Sequence, residues 1–317
     1  MLGFFLVLVA AVFFCVQNLI VRVLFTEQTL LGLWPTGGFV APALRDSLLL
    51  LWMRMLIVVP LMASLAQKLH PAMWRDIAGL GRRRSLLIQS LVSGFLMFLY
   101  LLLLYIAVGL IPTGVALTLF FTYPVFTALM AGYWFRERLT VGRWGIMGLI
   151  IFGSALTLPQ SSSGSQAPGL GSLLAVASGF AYAGYTVLAQ KTVAELHPAP
   201  FTWLSFATTL VLSGGCLLCW PESGTALPWM PLWIGAGGSA LVTFLGHLLN
   251  NSGIGLIGAS QAAMIGASNP ALTSLFAWLV FQEQLTVVQT GGVILVTLSV
   301  ILLSRGFKAS AQDSPGA

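Results

Sequence analysis

The sequence predicts an all-α integral membrane protein: ten transmembrane helices arranged as two inverted five-helix repeats. Three observations carry that expectation. Hydrophobic residues fill 58% of 317 positions, and mean hydropathy is +0.95. A water-soluble domain of this length cannot hide so much apolar surface. The apolar residues fall in runs of roughly 20, the length a helix needs to cross ~30 Å of hydrocarbon. The second half of the chain also repeats the first at an offset of 146 residues.

Charge, Pro or Gly clusters bound the runs. The first, 2–25, begins MLGFFLVLVAAVFFC. It lacks the basic n-region and small-residue cleavage site of a signal peptide, so it reads as a retained span. A Gly/Pro-containing segment, 26–45, leads to the second span, 46–67. Spans 86–108, 113–135 and 142–158 complete the first half, and FRERLT (135–140) separates the last two. The polar stretch PQSSSGSQAP, 159–168, is a flexible linker. Spans 169–190, 200–220, 229–252, 259–281 and 287–304 follow. The expected units are therefore 1–158 and 169–305, with a disordered tail at 306–317. Helices rather than barrel strands follow from run length, since strands would alternate over about ten residues. A helix also pairs its own backbone polar groups within lipid.

Lys and Arg set the orientation. With the N-terminus inside, the inner segments carry eleven of them and the outer segments carry only Arg45. Both termini are thus expected in the cytoplasm, with the chain in the cell inner (plasma) membrane. The net charge of +6 lies in short segments between apolar runs. That pattern suits anionic lipid and excludes a domain-sized nucleic-acid face. Cys216 and Cys219 form a C-x-x-C with no second Cys or His pair at ligand spacing. They and Cys15 read as small, buried, reduced residues, and no metal site or cofactor is expected.

At the 146-residue offset, 105–140 falls on 251–286 without a gap and with twelve identities. Pro124 meets Pro270, and F-x-E-x-L-T meets itself as FRERLT and FQEQLT. Five spans per half means the second half enters the membrane from the opposite side, an inverted repeat. Thr140 and Thr286 are the expected N-caps of the next helices. Glu137 and Glu283 are expected to tie the intervening turns. The arginines of FRERLT are expected only in the copy that faces the cytoplasm.

These features, with the Y-P of 123–124 and the Gly-rich spans that follow each motif, resemble the drug/metabolite transporter superfamily, EamA type. The resemblance covers roughly 2–305. It implies a central cavity lined by helices 1, 3, 4, 6, 8 and 9 and alternating access between two faces. The long 26–45 segment is unusual for that family.

Polar residues inside spans are the candidate substrate contacts. His247, Asn250 and Asn251 follow i, i+3, i+4 and share one face of helix 8. That face lines a cavity or makes interhelical hydrogen bonds. His247 is the one histidine within a span and a candidate proton carrier. Asn18, Tyr105, Thr118, Thr122, Tyr182, Tyr185 and Gln261 suit an amphipathic pocket of aromatic walls with hydroxyls and amides. Pro124 and Pro270 are read as mid-helix kinks, for gating or for packing. Arg22, near the outer end of helix 1, is read as snorkelling and paired with Glu27. Arg54 is likewise expected to snorkel outward rather than meet an anionic substrate.

No P-loop, spanning acid pair or metal cluster is evident in the sequence, so the chain reads as a carrier and not an enzyme. The expected function is a secondary transporter, an exporter of small metabolites such as amino acids. The alternatives are a multidrug efflux carrier of the same fold and a membrane enzyme or lipid-handling protein. Small-molecule substrate and membrane lipids are the expected partners, with no nucleic acid. Proton coupling and facilitated diffusion are both open, as are monomer and homodimer.

Overall fold

The computed structural model describes residues 1–317 except 41–42, 112, 137–139, 158–167, 220–226, 283–285 and 313–317. Side chains at 65, 66, 69, 108, 109, 113–115, 118, 157, 168 and 303–312 are also outside the described set. The linker at 159–167 and the residues Glu137 and Glu283 therefore lie outside the described residues.

Helices dominate. The first half contains α1 (Leu2–Phe25), α2 (Leu44–Leu69), the short α3 (Met73–Gly79), α4 (Arg84–Leu110), α5 (Thr113–Phe120), α6 (Tyr123–Phe135) and α7 (Val141–Thr157). The second contains α8 (Pro168–Val193), α9 (Pro198–Leu218), α10 (Trp229–Ile257), α11 (Ala259–Gly266), α12 (Asn269–Phe281) and α13 (Val287–Gln312). Among the described residues, seven helical stretches are long and apolar enough to cross a membrane, and α7 and α13 supply shorter apolar helices. Large apolar side chains such as Phe5, Leu173, Val211, Leu241 and Ile294 are exposed. Such a surface is stable against lipid and not against water. The chain is a multi-pass membrane protein.

The structure differs from the sequence reading in four places. First, α13 runs through Gln312, so the tail expected to be disordered from 306 begins as helix. Extending an existing helix needs no new nucleus, and KASAQ contains good helix formers. Second, the 26–45 segment contains a hairpin, β1 (Glu27–Leu30) against β2 (Trp34–Gly37), in register Leu30↔Trp34. Leu31 (φ 52) and Gly32 (φ 71) turn the chain at its tip. The hairpin base supplies amide donors to the end of α1: Gly38 N to Val23 O, 3.1 Å, and Phe39 N to Leu24 O, 2.9 Å. Its tip does the same for α12: Leu31 N to Val280 O, 2.7 Å. Helix ends leave carbonyls without intrahelical partners, and this segment satisfies two such ends at once.

Third, Pro124 and Pro270 do not kink continuous helices. Each lies in the first turn of a new helix, α6 or α12, after a two-residue break. There the missing N–H has no intrahelical acceptor to lose. The freed backbone is met from neighbouring helices: Ser154 Oγ donates to Ala267 O at 2.7 Å. Irregular backbone within a membrane persists only where protein or a cavity surrounds it. Fourth, Cys219 is exposed at the end of α9, while Cys15 is buried; all three cysteines are free.

The helix starts after the motifs are capped as expected. Thr140 Oγ1 accepts from Arg143 N at 3.4 Å. Thr286 Oγ1 accepts from Gln289 N at 3.2 Å, and Gln289 Oε1 accepts from Thr286 N at 2.9 Å. The latter pair is a capping box, closing two orphan donors reciprocally.

Candidate functional site

The two helix breaks meet at one cavity. It is lined by Val7, Ala11 and Phe14 of α1, Tyr123 of α6, Tyr182 and Thr186 of α8, Asn250 of α10, Ala262, Ala263 and Gly266 of α11, and Asn269 of α12. Tyr123 and Asn269 each immediately precede the proline and correspond at the 146-residue offset. The breaks thus deliver a polar side chain from each half to the same space. Tyr123 Oη donates to Ala263 O at 3.4 Å across the two breaks. Gly266 leaves room for it: a Cβ there would lie 2.5 Å from Tyr123 Oη.

One wall of this cavity is aromatic. Tyr182 packs edge-on against Tyr123 (4.6 Å between centroids) and Tyr100 (4.9 Å), with Phe120 at 5.7 Å. Asn250 and Asn269 line the same cavity. The free space is closer to one water than to a metabolite, so the helices are drawn in around the site.

The α10 face predicted from His247, Asn250 and Asn251 is longer than expected. Ser239, Thr243, His247, Asn250 and Asn251 recur at helical spacing and are all buried. Their partners divide them. Asn251 is engaged at both ends of its amide: Tyr185 Oη donates to Oδ1 at 3.1 Å, and Nδ2 donates to Thr202 Oγ1 at 2.9 Å. It therefore clamps α8, α9 and α10 together. Asn250, one residue earlier, opens into the cavity. Thr243 donates to Gln17 Oε1 at 2.7 Å, linking α10 to α1. His247 is surrounded by the rings of Phe14 (4.9 Å), Phe206 (5.4 Å) and Tyr185 (6.3 Å), and its Nδ1 has no hydrogen-bond partner.

The remaining predicted residues lie elsewhere. Asn18 is exposed and donates to Thr273 Oγ1 at 3.3 Å, joining α1 to α12. Thr122 occupies the break before α6, where its hydroxyl donates to Leu119 O at 2.7 Å. Gln261, with its amide turned to satisfy both neighbours, accepts from Arg143 Nη1 and donates to Ile257 O, each at 3.2 Å. The Thr118 side chain lies outside the described residues. Tyr105 borders a second cavity with Arg54 of α2 and Ser239 of α10.

Arg54 corrects the snorkelling expectation. It is 4% exposed and stands at the centre of the 21-residue apolar stretch Leu44–Ser64. Reaching either end would span about 15 Å of helix, beyond the reach of an arginine side chain. Nη1 donates to Ser239 Oγ at 3.4 Å, and Nε has no partner. Sequence reasoning missed Tyr123, Asn269 and Ser239. The signal for the first two was their shared place before the repeated prolines. For Ser239 it was the four-residue spacing to Thr243 and His247.

Other hydroxyls are structural. Thr127, Thr192, Ser205 and Thr209 each donate to the carbonyl four residues earlier. This satisfies them within their own helix without a ligand.

Comparison with known proteins is consistent with this architecture. Residues 169–305 match the EamA-like transporter family. An uncharacterized transporter of Synechocystis sp. is 52% identical over 307 residues, covering 96% of this chain and 93% of that one. A threonine/homoserine exporter, RhtA, of Salmonella typhimurium is 25% identical over 244 residues (76% and 77%). A riboflavin transporter of Vibrio cholerae is 25% identical over 176 residues (54% and 55%). A solved crystal structure aligns over 95% of this chain and 96% of its own, with a TM-score of 0.70 at 15% identity. The chain belongs to the EamA-like transporters of the drug/metabolite transporter superfamily.

Proposed function

We propose that the protein is a secondary transporter that exports small amphipathic metabolites, amino acids foremost, by alternating access around the Tyr182–Asn250 cavity. The observation that carries the reading is the convergence of Tyr123 and Asn269 on one cavity, each brought there by a proline-started half-helix. Discontinuous helices facing a shared site are the recurring construction of secondary transporters. Aromatic rings and asparagines lining one cavity suit a ligand with one apolar and one polar part. The RhtA relative, a threonine/homoserine exporter, supports amino acids as the class.

The ten-span inverted repeat belongs to the same proposal. It counts α5–α6 and α11–α12 as one span each and takes α7 and α13 as spans. Element limits support it. Thr113–Phe120 and Ala259–Gly266, Tyr123–Phe135 and Asn269–Phe281, and the starts Val141 and Val287 all correspond at an offset of 146. The charge asymmetry supports inner-membrane placement with both termini cytoplasmic.

A second reading has a specific observation behind it. The Phe14, Tyr123 and Tyr182 rings that line the cavity suit a flat aromatic metabolite, and one relative is named a riboflavin transporter. Uptake into proteoliposomes decides between the two, with amino acids, aromatic heterocycles and lipophilic cations as the panel. Saturable amino-acid flux is expected, with KM raised about five- to tenfold in Asn250→Ala, the worth of roughly one hydrogen bond. Saturable flux of heterocycles alone favours the second reading. No saturable flux of any compound overturns both.

A further inference from the structure

The Arg54 cavity is separate from the Tyr182 cavity, sharing no lining residue with it. Its wall is apolar on the α1 side, at Val21, Leu24 and Phe25. Its polar groups are Arg54 and Ser47 of α2, Tyr105 of α4 and Ser239 of α10. Ser47, Leu50, Leu51 and Arg54 recur at helical spacing and bring one face of α2 to it. No family resemblance called for α2 at the site.

Among the described residues, Arg54 has one hydrogen-bond partner, the neutral Ser239, and no carboxylate. The nearest acid along its helix, Asp46, lies two turns away and pairs with Arg45 at 3.8 Å. A buried guanidinium at mid-span is costly unless an anion or dipole meets it, and such residues mark substrate or ion pathways. Ser239 Oγ accepts from Arg54 and so keeps its own proton to donate. The Tyr105 hydroxyl is a further donor on the same cavity. A guanidinium bonded to one hydroxyl, in a cavity that a tyrosine also lines, is a set of donors with no charged acceptor, matched to a planar monoanion. Phosphate would call for a second cation, and no other Lys or Arg lines this cavity.

We propose that Arg54, with Ser239 and Tyr105, binds the carboxylate of the transported compound at a subsite distinct from the Tyr182 cavity. This rests on the transporter reading above and deepens it: the substrate is a carboxylic acid, held by its anionic end at Arg54. Ser239 of this cavity and Asn250 of the Tyr182 cavity lie on one buried polar stripe of α10, about three turns apart.

The test uses the full chain in detergent, with thermal unfolding as the readout. The probes are L-threonine, L-phenylalanine and 3-phenylpropionate, each against its carboxamide, at matched ionic strength in chloride and in sulfate. The acids should raise the melting temperature and the amides should not. Arg54→Gln should remove the acid effect, weakening apparent acid affinity by about tenfold or more, as expected for a lost hydrogen bond to a charged group. Arg54→Lys should retain part of it. Without probe, Arg54→Gln should melt no lower than wild type, because it removes an uncompensated buried charge. Acids and amides acting alike, a shift that follows chloride alone, no shift with any acid, or a probe-free loss of stability in Arg54→Gln would each overturn the proposal. If Arg54→Gln does not fold, the wild-type acid–amide comparison still decides. Acid-specific stabilisation in a protein that carries no amino acid would refute the amino-acid reading and leave the carboxylate subsite standing.

Discussion

Replacing Asn251 by alanine removes two interhelical hydrogen bonds at once, to Tyr185 and to Thr202. In membrane proteins such bonds average about 0.6 kcal/mol and reach about 1.7. The pair therefore contributes about 1.2 kcal/mol, with about 3.4 kcal/mol as a ceiling. The two partners do not suffer equally. Thr202 Oγ1 still donates to Pro198 O at 2.7 Å, whereas the fully buried Tyr185 hydroxyl loses its partner. Most of the cost should thus run through Tyr185. A double-mutant cycle of Asn251→Ala and Tyr185→Phe should show a coupling of about 0.6–1.7 kcal/mol. Reversible unfolding in mixed micelles supplies the four free energies. Asn251→Ala should lower stability while KM for a transported compound changes less than twofold or so, because Asn250 and not Asn251 lines the cavity. A coupling of zero, or a large KM change with unaltered stability, would refute the clamp and restore Asn251 as a substrate contact.

Three further outcomes follow from the geometry. Gly266→Ala should abolish transport by pushing the Tyr123 hydroxyl from the cavity wall, whereas Gly237→Ala, with no atom within 4 Å of the added Cβ, should be neutral in the same flux assay. Gln282 Nε2 donates to Leu31 O at 3.2 Å, and its Oε1 fills the space beside Gly32. Gln282→Ala should loosen the hairpin and speed exchange of the Leu31 amide by about fivefold, roughly one hydrogen bond, as read by hydrogen exchange. At the start of α9, His197 caps the helix by accepting from Ala199 N through Nδ1 at 3.2 Å. Its ring stacks on His70 at 4.1 Å, and His70 pairs with Asp76 at 2.6 Å. Partial burial first, and His70 second, hold the His197 pKa below its ordinary 6.5, with Asp76 opposing. A lowered histidine pKa means the unfolded chain binds the proton first. Stability is therefore full above about 6.5 and falls as pH drops below it. His197→Asn, which keeps a cap, should flatten that acid-side loss in a thermal series from pH 7.5 to 5.5.

Much of the fold was legible because hydrophobic run length and charge placement report directly on a bilayer. The repeat was legible because a proline and an F-x-E-x-L-T are rare enough to align. The breaks were not. An apolar run with a proline reads the same whether the proline bends one helix or begins another. Only the surrounding helices, from which Ser154 satisfies Ala267 O, decide for the break. Asn250 and Asn251 looked equivalent in sequence because a face of a helix is broad. Tyr185 and Thr202 reach one and not the other, and both lie far off in the chain. Arg54 was misread for the same reason. Depth could be counted, but which neighbours α2 turns toward could not. The difference between FRERLT and FQEQLT has a structural side. Arg136 and Gln282 both adopt the left-handed conformation that ends their helices, with φ of 56 and 54. Gln282 meets the hairpin tip, where an amide suits a backbone carbonyl.

Counterflow in proteoliposomes tests the central claim most directly. Vesicles preloaded with an unlabelled transported amino acid, then diluted into tracer, should take up tracer transiently above equilibrium in wild type. Asn250→Leu should abolish the overshoot. A site exposed alternately to each face requires that result. Tracer flux that rises linearly with concentration and ignores the preload would contradict alternating access and leave a passive pore.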